Sequence, residues 1–148
     1  MRKNYTYSQL VDLMKHLRGP RGCPWDRKQT HKSLLKYLKE ESAEVADAVR
    51  QGDPDHLCEE LGDVLLQVLF HAQIATERGH FTMADVVDGL AKKLVRRHPH
   101  VFGSMKLKTA AQVVARWKEI KQRERDLKRK EAAPHRRIST PLPSKRPR

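Results

Sequence analysis

Apolar residues recur three and four positions apart through most of the first 120 residues, the period of helices with one buried face. Leu10, Leu13, Met14 and Leu17 form the first stripe, and Thr6 with Gln9 three residues on has capping-box spacing. A helix is therefore predicted from about Thr6 to Arg18, where Gly19-Pro20 stops it. Thr30 can cap a second helix running to about Arg50, with Leu34, Leu38, Val45, Ala48 and Val49 as its stripe. Asp53 as cap and Pro54 at the first helical position open a third, through Leu57, Leu61, Val64, Leu65, Val68, Leu69 and Ala72 toward Gly79. Thr82 with Asp85 predicts a fourth, through Val86, Val87, Leu90 and Leu94, ended by Pro99. A last helix from Thr109, matched by Gln112, buries Val113, Val114, Trp117 and Ile120 before turning mostly charged. The fold predicted is all-α, built from antiparallel helical hairpins.

Two acidic clusters interrupt this order. Glu41 falls inside the second stripe, at the step between Leu38 and Val45, and a carboxylate at a core position is rare unless paired or bound to metal. Glu41 and Glu44 are three apart, as are Glu60 and Asp63, so each pair lies on one helix face. Folded back at the Gly52-Asp53-Pro54 breaker, the two helices bring four carboxylates together. Such a group repels itself unless a cation sits among them. Oxygen-only ligands favour Mg2+, with Mn2+ as a substitute, and Mg2+ commonly shares its shell with substrate phosphates. The plainer alternative is two amphipathic helices with acidic flanks.

A chain of 148 residues with a net charge of +13 supports one domain and a tail. Residues 121–148 hold eleven Lys or Arg against three acids, so they carry +8 of that charge. Residues 1–125 are expected to form the folded domain and 126–148 a basic tail, since AAPHRRISTPLPSKRPR, from Ala132 on, has no periodicity and reads as disordered. Such a tail could contact nucleic acid, though it is more often a solvated extension. Two cysteines, no signal-peptide core and no apolar run of membrane-spanning length point to a soluble cytoplasmic protein with no membrane contact.

The fourth helix ends in Lys93, Arg96, Arg97 and His98. The helix dipole alone favours cations there, whereas Lys93 and Arg97, four apart, could also clamp phosphate. Trp25 sits in the Gly- and Pro-rich loop RGPRGCPWDRKQT, either plugging the helix bundle or lining a pocket. A di-iron bundle would need Glu-x-x-His on two helices, and the one instance, Glu77 with His80, straddles Gly79. No phosphate-binding Walker loop, dinucleotide fingerprint or nucleophile elbow is present.

Glu40, Glu41 and Glu44 followed by Glu60 and Asp63 resemble the acidic signature of the all-α nucleoside triphosphate pyrophosphohydrolases. GCPWD at 22–26, ELGDVLLQV at 60–68, RRHPHVFG at 96–103 and ARWKEIK at 115–121 extend the resemblance to the MazG branch, over about residues 7–125. The resemblance implies Mg2+-dependent hydrolysis of ribo- or deoxynucleoside triphosphates to monophosphate and pyrophosphate, with clearance of non-canonical nucleotides as one role. It implies that Glu41, Glu44, Glu60 and Asp63 hold the metal, that Lys93 and Arg97 meet the phosphates, and that Trp117 stacks on the base. Trp25 is a second candidate for the base pocket. It also implies a homodimer or higher homo-oligomer, which fits a hairpin that needs a partner to complete a four-helix bundle. The long bacterial members carry two such domains and this chain one, so properties of the second domain are not carried over.

In the working mechanism a carboxylate not fully committed to metal orients or deprotonates the attacking water; Glu41 and its neighbour Glu40 are the candidates. Adjacent helical residues point about 100° apart, so Glu40 can equally face solvent. Two rival readings stand beside this one. The first is a non-catalytic helical protein binding nucleic acid through its tail. The second keeps the fold and acts on dUTP or phosphoribosyl-ATP.

Overall fold

The computed structural model describes residues 4–132, in which seven helices and no strand occur. The chain divides into two compact units, at Lys92/Lys93. The first contains α1 (Tyr7–Arg18), α2 (Pro24–Lys28), α3 (His31–Gln51), α4 (Pro54–Glu77) and most of α5 (Met83–Arg97). The second contains the last turn of α5, α6 (Pro99–Phe102) and α7 (Ala110–Ala132). The all-α fold expected from periodicity is the fold observed.

The helix starts follow the predicted chemistry. Thr6 and Gln9 form a reciprocal capping box on α1, and Thr30 forms one on α3 with Ser33. Asp53 accepts from the backbone N–H groups of Asp55 and His56 at the start of α4. Thr82 donates its N–H to Asp85 Oδ2 at 2.7 Å, and Gln112 Oε1 accepts from Thr109 at 3.3 Å. Between α3 and α4 the chain reverses at Gly52, whose φ of 73° lies in the left-handed region.

α3 and α4 are the antiparallel hairpin on which the first unit is built, as the pairing of His31 with His71 at one end and Glu41 with Glu60 nearer the turn shows. α1 packs against α4 and α2. The buried core is Met14, Leu34, Leu69, Phe70 and Ile74, with Leu10, Val11, Tyr37, Leu66 and Met83 packed around it.

Several expectations change. The loop after α1 holds a one-turn helix, α2, started by Pro24, and Pro99 starts another, α6. α7 runs on to Ala132, so helix extends past residue 126, where the basic tail was expected to start; residues 133–148, with the rest of that expected tail, lie outside the described residues. Parts of the predicted stripes are exposed: Leu13, Leu17, Val49, Leu61, Leu65, Val87, Leu90, Leu94 and Val114. A helix packed on one neighbour buries only the side turned to it, which is narrower than the whole apolar stripe.

Candidate metal centre

Two to three turns from Gly52 on either side, α3 and α4 set Glu41, Glu60 and Asp63 together, each offering a carboxylate oxygen within 4.8 Å of the others. Glu60 is buried, and its Oε2 has no hydrogen-bond partner. Such an orphaned, buried carboxylate oxygen is costly unless a cation satisfies it. Burial and the neighbouring charges of Asp63 and Glu44 push the Glu41 carboxyl above the usual carboxylate range, with a hydrogen bond to Glu44 and the charge of Glu60 acting the same way. The donor set is oxygen only, so the residues fit a hard divalent ion.

Of the other acids, Glu44 adjoins Glu41 at the exposed rim, while Glu40 is exposed and outside the group of three. His56 was not foreseen. Its Nε2 lies 3.0 Å from Glu60 Oε1, one turn away on α4, and holds that oxygen in place. Its signal was the four-residue step to Glu60.

The acidic face of α4 continues as a polar seam. Gln67 and His71 follow Asp63 at steps of four, Gln67 is buried, and Gln67 Oε1 and His71 Nε2 have no partner. His71 Nδ1 meets His31 Nδ1 at 2.8 Å, with the rings stacked, so one of the two nitrogens must carry the proton. Burial, and then the charge of His31, lowers the His71 value below that of an ordinary histidine. Neither residue was singled out in the sequence, because only the register across the hairpin pairs them.

Trp25, on α2, is half exposed and meets Tyr37 and Phe70 edge-on at 5.8 and 6.3 Å, so it packs on the core and still presents a free surface. Arg18 fixes this loop. Its guanidinium donates to the Asp26 and Gln29 carbonyls and pairs with Glu77 at 2.8 Å, with only 5% of the side chain exposed.

In the second unit Lys93 and Arg97 line one cleft, about 560 Å³, with Arg96, Arg116, Arg123 and Lys128. Arg97 is already engaged, donating to Glu124 Oε2 at 2.6 Å. Trp117 donates its indole N–H to the Arg97 carbonyl at 2.7 Å and packs edge-on against His98 at 5.1 Å. Its ring therefore also braces the end of α5.

Fold and site define a class: all-α proteins whose helical hairpin sets a carboxylate cluster suited to a divalent cation. The MazG nucleotide pyrophosphohydrolase domain matches residues 29–102. The nucleoside triphosphate pyrophosphohydrolase/pyrophosphatase MazG of Thermotoga maritima is 51% identical over 123 residues, 83% of this chain and 47% of that protein. The nucleoside triphosphate pyrophosphohydrolase of Escherichia coli K12 is 44% identical over 126 residues, 84% and 48% of the two chains. A crystal structure of a mazG-related protein from Thermotoga maritima superposes with a TM-score of 0.64 at 30% identity, covering 78% of this chain and 98% of that one. The chain belongs to the MazG family. It spans about half the length of these two sequence relatives.

Proposed function

We propose that the chain hydrolyses nucleoside triphosphates, ribo- or deoxy-, to the monophosphate and pyrophosphate, using Mg2+ held by Glu41, Glu44, Glu60 and Asp63. The observation that carries this reading is the convergence of three carboxylates from two helices, one with a buried, unpartnered oxygen, in a chain of this family. The names of the Thermotoga and Escherichia relatives support the same reaction. A bound divalent ion supplies charge neutralisation at phosphate oxygens and acidifies water. The protein's part is to hold Glu60 through His56 and to set Glu41 among like charges that a divalent ion would neutralise. Glu41, and its exposed sequence neighbour Glu40, are the candidate bases. Lys93 and Arg97 are the candidate phosphate ligands, and Trp117 and Trp25 the candidate base contacts.

The test is release of pyrophosphate from mixed triphosphates with Mg2+ by Glu41→Gln and Glu60→Gln. Each is expected to lose at least about a hundredfold in kcat, the scale of general-base and metal-ligand losses. Full activity in both would sink the scheme. We further propose that the exposed faces of α4 and α5 are covered by a second copy, and that the protein works in the cytoplasm; among the described residues no helix is long and apolar enough to cross a membrane.

A further inference from the structure

The cleft of the second unit holds six cationic side chains, Lys93, Arg96, Arg97, Arg116, Arg123 and Lys128, and one carboxylate, Glu124. Glu124 sits between two guanidinium groups. Arg96 reaches its Oε1 through Nε at 2.8 Å and Nη2 at 2.6 Å, and Arg97 reaches its Oε2 through Nη2 at 2.6 Å. These are the donor forks and distances with which arginine takes phosphate oxygens. The carboxylate is mostly covered, 18% exposed, and the two arginines hold its value down to about 2, so it is ionised throughout the working range. A single side chain thus occupies donors that a phosphate would need. Asp126, two residues further along α7, lies outside the cleft lining and accepts instead from Gln122 at 2.9 Å.

We propose that Glu124 is a tethered competitor of phosphate: it holds Arg96 and Arg97 together in the free protein and must be displaced before they can bind a phosphate group of substrate or product. This rests on the assignment of Lys93 and Arg97 to the phosphates. A tethered group acts at high effective concentration, so the apparent affinity for phosphate anions is reduced by the fraction of molecules in which the forks are occupied. The consequence falls on both substrate and pyrophosphate. Weakening the hold on pyrophosphate eases its release, since the same competitor returns as the product leaves.

Inorganic pyrophosphate titrated calorimetrically into the full chain with EDTA present, so that no divalent ion contributes, tests this. Glu124→Gln, close in shape, is expected to bind pyrophosphate about tenfold more tightly than the wild type. Asp126→Asn removes the same charge from the same helix without touching a cleft cation and is expected to change affinity by less than about threefold. An equal gain in both variants would mean that net charge alone is responsible, and would overturn the proposal. Unchanged or weaker binding in Glu124→Gln would overturn it too, showing the carboxylate to be a brace that orients the arginines. Thermal melting verifies that each variant folds, and Glu124→Asp, a methylene shorter, should shift affinity in the same direction by less. Arg97→Ala separates the layers: if it leaves pyrophosphate binding intact, the phosphate assignment fails, whereas binding lost in Arg97→Ala but not gained in Glu124→Gln removes the competitor alone.

Discussion

Gly22 is where a single atom matters most in the loop that carries Trp25. A Cβ there would lie 2.1 Å from the Leu17 carbonyl oxygen, which also accepts the Cys23 N–H at 2.8 Å. Gly22→Ala must open that contact, and a loss of about 2 kcal/mol or more is expected in urea unfolding. Glu41 works the other way. Its ionised form is disfavoured by burial and by Asp63 and Glu44, so Glu41→Gln should raise the melting temperature by about 2–4 °C without metal, although with Mg2+ it lowers pyrophosphate release by at least about a hundredfold. Glu124 sets an acid limit. Because its folded value of about 2 lies below the 4.5 of the free side chain, its contribution is complete above pH 4.5 and is lost as pH falls from there toward 2. The wild type should lose stability across that window, and Glu124→Gln should lose less of it in a pH series of melts.

At the level of elements, the helices were legible because their caps and stripes are local. Thr6 with Gln9, Thr30, Asp53-Pro54 and Thr82 with Asp85 each mark a helix start within a few residues of sequence. So was the meeting of Glu41 with Glu60 and Asp63, since three-residue spacing and a short reversal suffice to place them. α2 and α6 were not, because a helix of one turn has no periodicity to show. Gln67 and the His31–His71 pair escaped for another reason: their significance depends on which residues face each other across the hairpin. The latch on α2 was equally hidden, as Arg18 and Glu77 are far apart in sequence. Arg18→Ala leaves Glu77 with only the Gln73 amide, at 3.1 Å, and frees two loop carbonyls, and about 1–3 kcal/mol of destabilisation is expected, most of it from the carbonyls because Glu77 is partly exposed. Hydrogen exchange should then accelerate first in residues 19–30.

For the molecule as a whole, the apolar residues left exposed on α4 make assembly measurable. Replacing Leu61 and Leu65 by Glu should convert a dimer to a monomer in sedimentation at micromolar concentration, and a wild type already monomeric there would remove the proposed pairing. Deleting residues 133–148 should leave pyrophosphate release within about twofold, whereas the nucleic-acid reading expects that deletion to abolish salt-sensitive binding. The two-residue reversal at Gly52 and Asp53 has a consequence for how this chain can change over generations. Each added helical residue turns everything beyond it by 100° and advances it by 1.5 Å. One extra residue between Glu44 and Gly52, or between Pro54 and Glu60, would swing two carboxylates away from their counterparts. Lineages of this chain should therefore tolerate length changes in the stretch 103–109 between α6 and α7 and almost none within 41–63, where the count of residues is itself the functional constraint.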